Sequence, residues 1–167
     1  MKMKYDNVIA VDPDVDKSGV AYLRVATREL EVTNLSFPDL LDYLNYADGE
    51  CKNANQTLVV VVEAGWLNQS NWHVRSKDNV RIASAKGNST GRNHEVGRKI
   101  VEMCRHYGID VVEKKPLVKC WKGPGGKITQ EELNSFTGLA GRNNQDARDA
   151  ALLAWEFANL PIRVKVK

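Results

Sequence analysis

The sequence predicts an α/β fold, a five-stranded mixed sheet with its first three strands antiparallel and helices on both faces. A short apolar run, Val8-Ile9-Ala10-Val11, stops at Asp12-Pro13, as a buried strand does before proline. Residues 58–62 are Leu-Val-Val-Val-Val, which is typical of a central strand covered on both faces. Segments with apolar residues three or four positions apart follow these runs, and such spacing predicts helices packed on the sheet.

The second and third strands and the first helix follow from local patterns. Residues 20–25 and 30–35 are rich in β-branched and apolar side chains and flank a polar tetrapeptide, Ala26-Thr27-Arg28-Glu29, so they predict an antiparallel hairpin. Pro38 opens a helix whose apolar residues have helical spacing. We expect Gly49 and the polar residues 52–56 to end that helix.

The chain after the central strand is more irregular. The polar residues 66–90, which include Trp66 and Trp72, predict a long loop, and long loops in compact domains are often functional. The remaining predicted elements are a helix over 92–107 ended by Gly108, a strand over 109–112, a Lys- and Gly-rich connection over 116–127 and a short helix over 128–136.

The last helix is predicted over residues 144–158, because this stretch is rich in Ala and Leu and has no interior Gly or Pro. Asn143 or Asn144 is its expected N-cap. Its apolar stripe consists of Ala147, Ala150, Leu153, Ala154, Phe157 and Ala158, and Arg148 and Trp155 are expected on the opposite side.

Two carboxylates, Asp146 and Asp149, share a face of this helix at the border of its apolar stripe. Carboxylates that face a core repel each other and are costly to desolvate, so they need a cation or a catalytic reason. The alternative is that both are first-turn residues favoured by the helix dipole, which explains Asp146 better than Asp149.

Two further carboxylates, Asp12 and Glu63, end predicted buried strands. Sites in such sheets gather at the carboxyl ends of strands. If the first and fourth strands are parallel neighbours and the last helix packs on them, the four acids Asp12, Glu63, Asp146 and Asp149 converge. Such a set of oxygen ligands suits Mg²⁺ or Mn²⁺.

Composition is that of an ordinary globular protein, and 167 residues predict one domain over 1–167. Residues 1–74 hold 6 Lys and Arg against 11 Asp and Glu, whereas residues 75–127 hold 13 against 5. This asymmetry suggests a polyanion partner, although on charge alone a solvated lysine-rich face is the better explanation. The three Cys and three His are scattered and predict neither a disulfide framework nor a zinc site.

No apolar run is long enough to span a bilayer, and the first residues are not followed by a signal-peptide core. We therefore expect no membrane partner and a cytoplasmic location.

The four acids and their elements resemble the RuvC family of Holliday-junction resolvases, nucleases with an RNase H-like fold. The family has an Asp ending the first strand, a Glu ending the fourth, and an Asp-x-x-Asp pair opening the last helix, matched here by Asp12, Glu63, Asp146 and Asp149. The Asp12-Pro13 pair followed by Gly19, and an aromatic residue three positions after the Glu, Trp66, are also similar. Ribonucleases H carry their Glu on a helix, so Glu63 on a strand favours RuvC.

The resemblance implies a Mg²⁺-dependent (or Mn²⁺-dependent) endonuclease with two ions per active site, cutting four-way junctions or other branched DNA as a homodimer. Asp12 would be the bridging ligand, and Glu63, Asp146 and Asp149 would complete the two shells. The implied DNA contacts are Trp66, Arg92, Lys119, Lys122 and Lys127, and helix 92–107 is the expected dimer interface. The expected cytoplasmic location is that of a bacterial or phage-type protein.

Departures from the family pattern leave alternatives open. Asp14 stands where the family commonly has Gly, and Asp16 adds further charge. Residues 128–140 match nothing in the family. An RNA-directed nuclease of the same fold, a non-catalytic nucleic-acid-binding module and an ATP-binding actin-like half remain alternatives; Gly123-Pro124-Gly125-Gly126-Lys127 is not a P-loop, because Ile128 follows the lysine.

Overall fold

A computed structural model of the chain describes residues 3–68 and 80–162 and contains the five-stranded mixed sheet that the sequence predicts. The strands are β1 (Asn7–Asp12), β2 (Ser18–Arg24), β3 (Glu29–Leu35), β4 (Leu58–Glu63) and β5 (Val111–Lys114). The helices are α1 (Phe37–Asn53), α2 (Val80–Tyr107), α3 (Gln130–Thr137) and α4 (Gln145–Phe157), with short 3-10 turns at Gly65–Leu67 and Pro124–Gly126.

The strand order is β3-β2-β1-β4-β5. β1 pairs antiparallel with β2, and β2 with β3, whereas β1–β4 and β4–β5 are parallel pairs. The predicted fold class, an α/β fold with a five-stranded mixed sheet whose first three strands are antiparallel, is therefore confirmed. β1 and β4 are parallel neighbours, as the convergence of the four acids requires.

The central strands separate two apolar cores. Because side chains alternate along a strand, Val8, Ala10, Val59 and Val61 face α4, whereas Ile9, Val11, Val60 and Val62 face α1 and α2. All eight are completely buried. Full burial of a Val or Ile side chain contributes about 1.5–3 kcal/mol, so apolar packing on both faces stabilises these two strands.

The helix ends follow the expected capping chemistry. Ser36 caps α1, and Thr129 with Glu132 forms a capping box at α3. Asn144, one of the two predicted residues, caps α4: its side chain accepts a hydrogen bond of 2.9 Å from the backbone N–H of Ala147.

Several predicted boundaries are wrong. α2 begins at Val80 rather than near residue 92, so residues 80–90 are helical and not part of a loop. Their helical signal is weak because this part of α2 lies largely at the surface and lacks an apolar stripe. The predicted loop begins within the 3-10 turn at Gly65–Leu67, and its residues 69–79, with Trp72, lie outside the described residues.

α1 continues through Gly49 to Asn53, because Cys51 is buried and the helix still packs on the core there. β5 lies two residues later than predicted, since Gly108 has a left-handed φ of 73° and the buried Ile109 belongs to the connection.

The two residues expected opposite the apolar stripe of α4 behave differently. Trp155 is only 2% exposed and its indole N–H donates to the carbonyl oxygen of Pro161. The side of α4 opposite its apolar stripe is itself covered by α3 and by residues 160–162, and Phe136 contacts Trp155 there. Arg148 is partly buried and its guanidinium donates to the carbonyl oxygens of Ile128 and Asn143. In the two described stretches, no helix is long and apolar enough to cross a membrane.

Candidate functional site

Strand alternation determines where Asp12 and Glu63 point. Asp12 follows Val8 and Ala10 at two-residue intervals on β1, and Glu63 follows Val59 and Val61 on β4. Both carboxylates therefore lie on the α4 side of the sheet. The parallel register pairs Val11 with Val62, which places the two acids side by side at the carboxyl edge.

The first turns of α4 bring Asp146 and Asp149 to the same edge. The helix approaches the start of β2 so closely that a Cβ atom at Gly19 would lie 2.1 Å from the backbone oxygen of Asp146. Glycine at position 19 is thus required by this contact. The absence of a side chain at Gly19 lets the helix reach the strand ends.

The four acids line one open cavity of about 460 Å³. One wall is formed by α2, through residues that include Thr90, Asn93 and His94, and the other by the connection after β5, with Leu117 and Lys119. Such a concave site with converging polar groups is the usual form of an active site. The cavity is lined by Asp12, Asp14, Glu63, Asp146 and Asp149 among the acidic residues, and by Lys119 and Lys127 among the basic ones.

Burial and mutual repulsion raise the pKa values of the acids. Burial, followed by the charges of Glu63, Asp146 and Asp149, holds the pKa of Asp12 well above its ordinary value. Burial and then the charge of Asp149 raise the pKa of Glu63 to about 7. The pKa values of Asp146 and Asp149 are also raised, again mainly by burial. The four carboxylates therefore act on one another electrostatically, which is the convergence expected of a shared site.

The chemistry of this donor set suits a hard divalent cation, since partly buried carboxylates that repel one another are stabilised by a shared positive charge. The positions of these carboxylates in the structure are less favourable for cation binding than their chemistry is. Within residues 3–68 and 80–162, no group of three or more His, Cys, Asp or Glu side chains is placed so that it could hold a metal ion as it stands. Side-chain rotation would be needed to bring the oxygens onto one ion.

The basic side of the cavity comes from the connection between β5 and α3. This segment folds back on itself: the backbone N–H of Trp121 donates to Gly126, and that of Gly123 donates to Lys127. Lys119 and Lys127 consequently lie at the same cavity. Lys127 Nζ is 3.7 Å from Asp149 Oδ2, and its charge lowers the pKa of all four acids, whereas Lys119 acts on Glu63.

Lys122 and Arg92, two predicted DNA contacts, do not line this cavity. Lys122 belongs to a second, shallow depression beside α3, where its backbone N–H donates to Glu132. Arg92 is exposed on α2, although its neighbours Gly91 and Asn93 face the cavity. Their role as DNA contacts stays a prediction.

Trp66 lines the cavity but is engaged with α2. A Cβ atom at Gly97 would lie 2.4 Å from its ring, His94 contacts it edge-on with ring centroids 6.1 Å apart, and the Arg98 guanidinium lies 5.7 Å from its centroid. Trp66 therefore fixes the position of α2 beside the acids. Stacking of Trp66 on DNA bases stays a prediction, and it would use the part of the ring that faces the cavity.

Asn93 and His94 also line the cavity, although no motif in the sequence marks them as site residues. Asn93 Oδ1 accepts a hydrogen bond of 3.0 Å from the backbone N–H of Val15, so it ties the β1–β2 turn to α2. Burial, and next the charge of Arg98, lower the pKa of His94. Only the packing of α2 against the turn brings these two residues to the cavity, and no local pattern in the sequence indicates it.

Asp14, whose role the sequence left open, also lies at the site. Its carboxylate accepts a hydrogen bond from the backbone N–H of Asp16, and its own N–H donates to the buried Ser18. The charge of Asp14 contributes to the raised pKa of Asp146, next after burial. Within residues 3–68 and 80–162, the cavity is therefore lined by five carboxylates, one more than the four acids at the strand ends and on α4.

Helix α2 is also where the sequence places the dimer interface. Its apolar residues Ile100, Val101 and Cys104 are buried against the sheet of the same chain. The stripe that motivated the prediction is thus used within one protomer, and dimer formation stays a prediction.

Comparison with known proteins is limited to structure. No model of a known protein family matches the chain, and neither does any curated protein sequence. A solved structure of T. thermophilus RuvC in complex with Holliday junction substrate is similar over 92% of this chain and 92% of that chain, with 16% sequence identity and a TM-score of 0.46. A likeness at this level supports no conclusion about activity.

Proposed function

We propose that this protein is a metal-dependent endonuclease that hydrolyses phosphodiester bonds in branched DNA, with four-way junctions as the first substrate to test. The observation that supports the proposal best is the position of Asp12, Glu63, Asp146 and Asp149, which line one cavity and raise one another's pKa values. A surface that only binds phosphate gains nothing from four partly buried carboxylates, because they repel the same anion.

The four acids would hold two Mg²⁺ or Mn²⁺ ions, and these would supply an activated water and charge stabilisation at the scissile phosphate. Asp12, whose pKa is raised well above its ordinary value by burial and by the neighbouring acids, would be one of the residues that hold the ions. Asp146 and Asp149, which lie in the first turns of α4, would supply further ligands to these ions. The protein's own part is to hold the oxygens on rigid elements: two strand ends and a helix that packs on them.

Basic groups beside the acids would hold the DNA backbone. Lys119 and Lys127 face the cavity, and residues 114–127 contain five lysines and no acidic residue. Contacts of this kind bind the backbone without reading sequence, and they make affinity depend on salt. Branched DNA is proposed as the substrate, and a homodimer as the active form, because the motif pattern resembles the RuvC family.

The test is a cleavage assay with labelled four-way junctions, forks, linear duplexes, single strands and RNA–DNA hybrids in the presence of Mg²⁺ or Mn²⁺. We expect the junction to be cut, and Asp12→Asn to abolish cutting while binding is retained. Asp16→Asn is the matched control, because Asp16 is exposed in the same turn. Unimpaired cleavage by Asp12→Asn would rule out the proposed site.

The same panel separates the alternatives. Preferential cutting of the RNA strand in hybrids would identify an RNA-directed nuclease. Salt-dependent binding of nucleic acid with no cleavage under any of these conditions would identify a non-catalytic module.

A further inference from the structure

Lys127 is placed differently from the other lysines of its segment. Its Nζ lies 3.7 Å from Asp149 Oδ2, and the two side chains are 39% and 19% exposed. This separation is longer than the 2.7–3.2 Å of a direct N–H···O hydrogen bond, so the contact in this structure is an ion pair rather than a close hydrogen bond. Lys127 is also the lysine whose charge acts on all four acids.

The backbone of Lys127 is fixed although its side chain is long and flexible. The next residue, Ile128, is 1% exposed in the core, and its carbonyl oxygen accepts hydrogen bonds from Gln145 and Arg148 of α4. The carbonyl oxygen of Lys127 accepts from Gly123 at 2.9 Å. The ammonium group can therefore change partners by side-chain rotation, while its attachment point stays beside the acids.

We propose that Lys127 is the built-in counter-ion of the ion-free site and that divalent ions displace it from Asp149, which frees its ammonium group for the phosphate of the substrate. The inference rests on the proposed function, because it assumes that Asp149 is an ion ligand. A lysine and a divalent cation compete for the same carboxylate oxygens, and two positive charges cannot stay in contact there without a large electrostatic cost. The negative charge that arrives with the substrate gives the displaced ammonium group a new partner.

This exchange predicts opposite effects of one substitution on two measurements. In Lys127→Gln the competitor is gone, so Mn²⁺ should bind more tightly, by about fivefold for the loss of one partly exposed charge near the ligands. Cleavage of DNA at saturating Mn²⁺ should fall, because the phosphate has lost a cation. A lysine that served only to attract DNA would lower cleavage without changing the affinity for Mn²⁺ in the absence of DNA.

The experiment is a calorimetric titration with Mn²⁺ alone, without DNA, of the full chain and three variants. Lys127→Arg keeps the charge and should retain an affinity close to that of the unsubstituted protein, which controls for folding. Lys122→Gln removes the same charge from the same segment at a site away from the acids, and its Mn²⁺ affinity should stay unchanged. An unchanged or weaker affinity in Lys127→Gln overturns the inference, as does a failure of the unsubstituted protein to bind Mn²⁺.

The cleavage assay keeps the two proposals distinguishable. If Lys127→Gln binds Mn²⁺ more tightly but no protein in the series cuts nucleic acid, the counter-ion role stands and the nuclease assignment fails. If the unsubstituted protein cuts DNA and Lys127→Gln leaves Mn²⁺ affinity unchanged, the nuclease assignment stands and the counter-ion role fails.

Discussion

Replacing Glu63 by Gln should stabilise the ion-free protein at neutral and alkaline pH. The pKa of Glu63 is raised from its ordinary value of 4.5 to about 7, mainly by burial and then by the charge of Asp149. The folded protein thus holds this proton more tightly than the unfolded chain does. The resulting penalty is absent below the ordinary pKa, grows as pH rises toward about 7, and is constant above. A pKa difference of about 2.5 corresponds to a loss of at most about 3 kcal/mol in the free energy of unfolding.

The assay is urea unfolding in the presence of EDTA at about pH 4.5 and about pH 8, the two sides of the expected change. The advantage of Glu63→Gln over the unsubstituted protein should be small at the lower pH and approach about 3 kcal/mol at the higher pH. Glu50→Gln, at an exposed position of α1, serves as the control and should show little dependence on pH. An advantage of Glu63→Gln that is the same at both pH values would refute the electrostatic account of the site.

Four further substitutions test the contacts around the site and the helical positions where an added methyl group meets nothing. Gly19→Ala should destabilise the protein by about 1–3 kcal/mol and weaken Mn²⁺ binding, because the new Cβ would lie 2.1 Å from the Asp146 backbone oxygen; thermal unfolding and calorimetry measure the two effects. Gly91→Ala and Gly49→Ala should each raise the free energy of unfolding by about 0.5–1 kcal/mol, since nothing lies within 4 Å of either added Cβ. Urea unfolding measures this, and a variant less stable than the unsubstituted protein would contradict the prediction. Trp66→Ala should lower that free energy by about 2 kcal/mol through lost packing on α2, and an unchanged stability would show that the contact with α2 is dispensable.

The positions of the four acids follow from simple rules, which is why the sequence predicts their elements. A carboxylate at the end of an apolar run falls at a strand end, and two parallel neighbouring strands bring Asp12 and Glu63 to one edge. The pair Asp146 and Asp149 opens a helix with an identifiable N-cap. The sequence could not predict which face of the sheet the acids lie on. In the structure, the alternation of side chains along β1 and β4 places Asp12 and Glu63 on the face that packs against α4.

The wall of the cavity formed by α2 could not be predicted in the same way. Residues 80–91 include two glycines and no apolar stripe, so their helical state depends on tertiary context rather than on local propensity. The sequence also could not distinguish Lys119, Lys122 and Lys127, since all three lie in one irregular segment. Their difference arises from the way that segment folds back, which brings Lys119 and Lys127 to the acids and leaves Lys122 beside α3.

Helix α4 carries two of the acids that repel one another, and it also makes the apolar contacts that hold those acids in place. Asp146 and Asp149 alternate along α4 with Ala147, Ala150 and further apolar residues that are almost fully buried on β1 and β2. The apolar contacts hold the two acids at the strand ends, so the carboxylates cannot separate to relieve their repulsion by moving the helix. The repulsion is instead relieved by protonation, by the ammonium groups of Lys127 and Lys119 or by a bound cation. A divalent cation should therefore increase the free energy of unfolding of the unsubstituted protein more than that of Asp149→Asn, and equal increases in both proteins would show that Asp149 is not a ligand.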